Sequence, residues 1–171
     1  MDGMGFVLFN LTDRLPIMFK ADAMSFVFGI TTLVIWALCG FYSIKYFKGD
    51  KKIVRYAIFY LLTLIVILAM DFAGNLVTYY ACYELMTLFS VPLVLHNETR
   101  EAVMAALKYM FYSLCGAYMV LFGFYFVYCT ADTIDFRPAG VLMGHITADN
   151  RGILTLAVFL MIMGFSIKGG M

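Results

Sequence analysis

Charge is what this chain has least of. Only 23 of its 171 residues are charged, 12 basic and 11 acidic, and the formal net charge is +1. A chain so nearly neutral has no field to attract nucleic acid. Two histidines, His96 and His145, are too few for a histidine metal cluster. The four cysteines (Cys39, Cys82, Cys115, Cys129) fall singly in apolar stretches without Cys-x-x-Cys spacing, so they indicate neither a zinc site nor a disulfide framework. Short segments of alternating polarity, which a membrane β-barrel needs, are also missing. The N-terminus lacks the basic-then-apolar pattern of a cleaved leader. No nucleotide, flavin, iron–sulfur or quinone signature appears, so no cofactor is expected and the chain is not a redox catalyst by itself.

Hydrocarbon is abundant instead. The chain is 64% hydrophobic with a mean hydropathy of +0.91, against roughly 45–50% apolar residues in soluble domains. The expected fold is an all-α integral membrane bundle of about five transmembrane helices. The apolar runs place them near 22–43, 56–73, 75–95, 101–129 and 153–171. Crossing a ~30 Å hydrocarbon core takes about 20 residues, so the second and last spans are a little short. Residues 1–21, with Pro16 and mixed charge, read as an interfacial segment that includes a short extended stretch, and 22–171 as the transmembrane domain. Gly74-Asn75 alone separates the second and third spans, which predicts a tight antiparallel hairpin.

The first loop, residues 45–55, carries Lys45, Lys48, Lys51, Lys52 and Arg55 against the single acid Asp50. Basic excess marks the cytoplasmic side. The turn at His96–Arg100 shares that side. The N-terminal segment, the Gly74 turn and the 130–152 loop then lie outside, where Arg14, Lys20, Arg137 and Arg151 are mostly offset by nearby aspartates.

Glu84 is the anomaly. A carboxylate at the bilayer centre costs roughly 2.5–3.5 kcal/mol even on the lenient insertion scale. At 1.5 Å per residue from Asn75, Glu84 sits about 13 Å into its helix, with Tyr80 and Thr87 on the same face as hydrogen-bond partners. Lys108 reads at a comparable depth from the opposite side, with Tyr112 and Cys115 on its face. Three plainer readings stand beside these: Glu84 as a neutral acid bonding a neighbouring helix, Lys108 as a lysine snorkelling to the interface, and Lys168 as an ordinary helix end. Asp71 reads equally as a cap or interfacial residue. The Met, Phe and Tyr stripes read as packing.

Several ordered motifs point further. Asn75-Leu, Tyr83-Glu84-Leu-Met-Thr-Leu and Pro92-Leu-Val-Leu-His96 are followed by Glu101-Ala, Ala105-Ala-Leu-Lys108-Tyr, Gly116, Leu121-Phe-Gly123 and Tyr128. Upstream stands Ala21-Asp22-Ala-Met-Ser25, and downstream Gly164-Phe-Ser-Ile-Lys168-Gly-Gly-Met171. From Lys20 to Met171 this resembles the antiporter-like, proton-conducting membrane subunits of respiratory complex I, membrane-bound hydrogenases and multi-subunit Na⁺/H⁺ (Mrp) antiporters. The Leu-Met-Thr-Leu and Pro-Leu-Val-Leu-His wording leans toward the hydrogenase and Mrp branches. The resemblance implies that Glu84 and Lys168 form a mid-membrane acid–base pair. It also implies that the lysine helix is broken there, which Gly169-Gly170 would suit, and that Lys108 has a lateral part in proton transfer.

The implied function is proton translocation, or Na⁺/H⁺ exchange, within a multi-subunit redox-driven pump or antiporter of a prokaryotic cytoplasmic membrane. The implied partners are the lipid bilayer, other membrane subunits, and protons or Na⁺. The chain itself is a non-redox subunit without a catalytic centre. The family has two helices before the first span and two five-helix inverted repeats after it. Spans two to five correspond to four helices of the first repeat, so the chain reads as a truncated piece, inactive alone. Two other readings are a scaffolding subunit in which Glu84 and Lys108 pair to fix packing, and a small channel formed by oligomerisation.

Overall fold

Long apolar runs bounded by capping residues become helices because, in lipid, only an internally hydrogen-bonded backbone is tolerated. A computed structural model describes residues 4–12, 15–137 and 140–170. Arg14 and Met171, named above for charge and motif, lie outside the described residues. The order is β1 (Met4–Thr12), β2 (Leu15–Ala21), α1 (Ala23–Tyr46), α2 (Ile53–Asp71), α3 (Leu76–Val94), α4 (Arg100–Thr130) and α5 (Arg151–Lys168). All five helices are long and apolar enough to cross a membrane, and the chain is an integral membrane protein.

Three helix starts are set by local chemistry. Asp22 accepts the Ser25 amide at 2.9 Å, Asn75 the Thr78 amide at 2.8 Å and Thr99 the Ala102 amide at 3.1 Å. Each satisfies an amide that the first turn leaves free. The carboxyl of Asp22 is held below its ordinary range, chiefly by that Ser25 amide.

The expected extended stretch at the N-terminus is a two-stranded antiparallel hairpin, β1 against β2. β2 is stitched to the α2–α3 turn. Asn75 donates its side-chain amide to Pro16 O at 2.6 Å, Met18 N–H reaches Thr78 Oγ1 at 2.9 Å, and Gly74 N–H reaches Met18 O at 2.9 Å. A Cβ at Gly74 would meet Met18 Cε at 2.9 Å and Met18 O at 3.2 Å, so the turn needs glycine to let the strand in. Asp135 forms a bridge to Asn75 from the other side, and Phe136 N–H reaches Gly74 O at 3.1 Å. The hairpin, the 72–75 turn and the start of the 131–150 loop thus gather at one end of the bundle.

The loops 47–52 and 95–99 gather at the other. Lys52 and Arg55 both reach Glu98, Arg55 also bonds His96 O at 3.0 Å, and His96 Nε2 meets Asp50 Oδ2 at 2.8 Å. The His96 ring is buried between Phe47 and Tyr56. Two loops from different hairpins are therefore latched together.

Helices α4 and α5 make the closest pair. Ala106, Ser113, Val120 and Val127 are buried at seven-residue spacing along α4, joined by Gly116 and Gly123. Missing side chains allow the approach, the usual device where lipid offers no hydrophobic drive between helices. A Cβ on Gly116 would stand 2.9 Å from Gly164 O, and one on Gly123 would clash with Met161 and the Ala157 carbonyl.

Candidate functional site

Tyr83, not Glu84, is the residue that α5 closes upon. It is only 3% exposed. Its hydroxyl donates to Gly164 O at 2.8 Å, and its own backbone carbonyl accepts from Lys168 Nζ. Gly164 and Lys168 are one helical turn apart, so a single tyrosine grips α5 at two successive turns. The ammonium also stands 3.5 Å from the Tyr83 ring centroid, inside the range of cation–π attraction. Phe165 packs edge-on against the same ring at 5.3 Å.

Lys168 is not at the edge of the bundle. Gly164 touches Gly116, so one turn later Lys168 lies near the level of Tyr112. Twelve further residues of α4, about 18 Å at 1.5 Å each, separate that level from Arg100. Helix α5 stops there: Gly169 N–H closes on Phe165 O, and Gly170 adopts φ +92°, a backbone that side chains disfavour.

Glu84 is half-buried beside this grip. No ion pair joins it to Lys168 among the described residues. Its Oε1 is buried without a hydrogen-bond partner. The two helpers expected on its face do not supply one. Tyr80 donates to Ala117 O on α4 at 3.4 Å, and Thr87 is buried but bonds Glu84 nowhere among the described contacts. Tyr80 is long enough to reach past its own helix, and a nearby carbonyl satisfies it there.

Lys108 and Tyr112 are placed elsewhere. Both are exposed, and the structure does not bring Lys108 to Glu84. The reason is helical phase. The buried stripe of α4 runs through Ala106, Ser113 and Gly116, and a residue two positions past Ala106 faces away from it. Neighbouring Tyr109 bonds Ser90 at 2.8 Å, which sets this turn of α4 opposite a point six residues along α3 from Glu84. The Glu84–Lys108 packing pair is therefore absent among the described residues. Asp71 accepts from Thr32 at 3.1 Å and ties α1 to α2. No group of metal-ligating side chains occurs among the described residues.

Sequence reasoning counted Tyr83 as packing and missed its grip. The available signal was the set of glycines at 116, 123 and 164, which foretells a close helix crossing but not the tyrosine facing it.

Comparison with known proteins adds the following. Residues 73–171 match the family model described as "NADH:quinone oxidoreductase/Mrp antiporter, TM". The putative antiporter subunit mnhD2 of Staphylococcus epidermidis is 25% identical over 161 residues, 91% of this chain and 31% of that one. A Na⁺/H⁺ antiporter subunit of Bacillus subtilis is 25% identical over 158 residues, covering 90% and 31%. An NADH-quinone oxidoreductase subunit of Deinococcus radiodurans is 27% identical over 101 residues, covering 59% and 20%. A chain in the structure of the membrane-bound sulfane sulfur reductase, an archaeal respiratory membrane complex, superposes with a TM-score of 0.72 at 20% identity, covering 95% of this chain and 33% of that one. That last likeness speaks for the fold. The chain spans about a third of the length of the antiporter subunits it matches.

Proposed function

The chain belongs to the NADH:quinone oxidoreductase/Mrp antiporter transmembrane family, and from this membership we propose that it forms part of a proton-translocating, or Na⁺/H⁺-exchanging, subunit of a multi-subunit membrane complex. Glu84 and Lys168 are the acid–base pair of the pathway, and Lys108, on the outer face of α4, has a lesser lateral part. The observation that carries this reading is the separated pair: a half-buried carboxylate with an unpartnered oxygen, and an ammonium held on the carbonyl of the adjacent residue, Tyr83.

Burial disfavours charge on either group, while their mutual attraction favours it. Moving Lys168 from the Tyr83 carbonyl to the Glu84 carboxylate strengthens its hold on a proton, and moving it back weakens that hold. A coupled event elsewhere in the complex could drive this exchange, with Gly169-Gly170 giving the end of α5 freedom to move. The basic excess of the loop at 45–55 supports a cytoplasmic position for it.

The test is Glu84→Gln in the full-length subunit assembled in its complex, with proton and Na⁺ flux measured in sealed vesicles. Flux falls at least about a hundredfold, the lower end of what a positioned proton-transfer group contributes. Undiminished flux in correctly assembled complex would sink the assignment.

A further inference from the structure

Helix α1 meets α2 at three levels: Thr32 bonds Asp71 at 3.1 Å near one end, Ser43 bonds Tyr56 at 3.1 Å near the other, and Trp36 meets Tyr60 midway. There Trp36 and Tyr60 stack at 4.9 Å and exchange hydrogen bonds, Trp36 Nε1 to Tyr60 O at 3.2 Å and Tyr60 Oη to Trp36 O at 2.6 Å. Below this pair, toward the 47–52 loop, an opening lies alongside the α1–α2 contact. Gly40 presents no side chain, and the result is a lateral cavity of about 250 Å³ between Gly40, Ile44, Ile53, Tyr56, Ala57 and Leu61. The hydroxyls nearby are already engaged: Ser43 bonds Cys39 O at 2.8 Å and Tyr56 Oη at 3.1 Å. The walls therefore offer hydrocarbon contact and no free polar group, and a crevice of that kind opening sideways in a bilayer takes an acyl chain.

The loop below the crevice is chemically lopsided. Its one acid, Asp50, is turned to His96, and Lys52 and Arg55 are taken up by Glu98. Lys45, Lys48 and Lys51 are exposed and form no ion pair among the described residues. Three uncompensated ammonium groups thus lie within a few residues of the apolar crevice. Basic residues at the end of a membrane span attract anionic lipid headgroups, and the adjoining slot adds a requirement for hydrocarbon that a free anion cannot meet.

We propose that the α1–α2 crevice and Lys45, Lys48 and Lys51 together form a binding site for one anionic phospholipid, acyl chain in the crevice and phosphate on the lysines. The site is separate from Glu84 and Lys168, and its test does not depend on ion flux.

The full-length subunit in mild detergent is titrated with dioleoyl phosphatidylglycerol and dioleoyl phosphatidylcholine, and retained lipid is read by native mass spectrometry. Phosphatidylglycerol is held about tenfold or more tightly than phosphatidylcholine, as expected for more than one lysine acting on the headgroup. Replacing Lys45, Lys48 and Lys51 together with Gln removes that preference. Gly40→Leu fills the slot from α1 and Ala57→Leu fills it from α2, and each lowers retention of phosphatidylglycerol severalfold. Equal retention of the two lipids by the unmodified protein overturns the proposal. So does undiminished binding by whichever crevice variant keeps the normal thermal midpoint, since that outcome means a diffuse surface charge effect. Displacement of the lipid by millimolar inorganic phosphate overturns it as well, by revealing a simple anion site.

Discussion

The hydroxyl of Tyr83 and the carbonyl of Gly164 meet at 2.8 Å across 81 residues of sequence. That bond fixes the rotation of α5 about its own axis. It thereby sets which side of the helix Lys168 projects from, one turn further on. The direction of Lys168 is thus registered by a neutral hydrogen bond rather than by an ion pair.

Removing that bond while keeping the ring is a clean experiment. Tyr83→Phe leaves the backbone carbonyl that receives Lys168 and the face beneath the ammonium. It forfeits one buried hydrogen bond, at about 0.5–1.5 kcal/mol, while the Gly164 carbonyl keeps its place in the α5 ladder. A lower thermal midpoint in detergent is expected, and an unchanged midpoint would show that the bond does not hold α5.

Steric interference at the same crossing is harsher. A side chain at Gly123 has to displace Met161 and the Ala157 carbonyl, and overpacking of this sort costs about 1–3 kcal/mol or more. Gly123→Val is expected to separate α4 from α5 and reduce the yield of folded protein. Gly152→Val is the control, since nothing lies within 4 Å of a Cβ there.

These two predictions mark where sequence reading stops. The five spans were legible because an apolar run has the length of the bilayer. Glu84 was legible because a carboxylate among hydrocarbon is expensive wherever it points. The direction in which Lys108 points was not, because it turns on the phase of a 31-residue helix, and small rotations decide whether a side chain faces in or out. Tyr83 was hidden among other tyrosines until Gly164 arrived opposite it. The hairpin register was hidden too, since Phe6-Val7-Leu8-Phe9 shows no alternation to set a face.

Asn75 does two tasks with one side chain and is 0% exposed. Its oxygen caps α3 and its nitrogen holds Pro16 of β2. Asn75→Ala loses both, at about 0.5–2 kcal/mol for the cap alone. Asn75→Asp keeps the cap but removes the donor to Pro16. Faster proteolysis of the N-terminal hairpin in the Asp variant, with α3 intact, is the expected separation of the two roles.

The loop latch responds to acid in a defined direction. Lys52 first, then Arg55, holds the Glu98 carboxyl down at about 2, against an ordinary 4.5. The amide of Lys52 first, then His96, likewise holds Asp50 below its usual range. Groups lowered in the folded state stabilise it above their unfolded values, so the latch is fully set above pH 4.5 and weakens as pH falls toward 2. The ¹³C shift of the Glu98 carboxyl is expected to titrate near 2, and Lys52→Gln moves that midpoint upward. A midpoint unmoved by Lys52→Gln would show that the pair does not persist in the membrane.

The dependence of this region on α5 also has a meaning in time. Helices α3 and α4 leave the ribosome before α5, so Glu84 enters the membrane with no Lys168 in reach and no Gly164 for Tyr83 to grip. Helix insertion order is therefore built into this contact: Tyr83 gains both of its partners on α5 in one docking step.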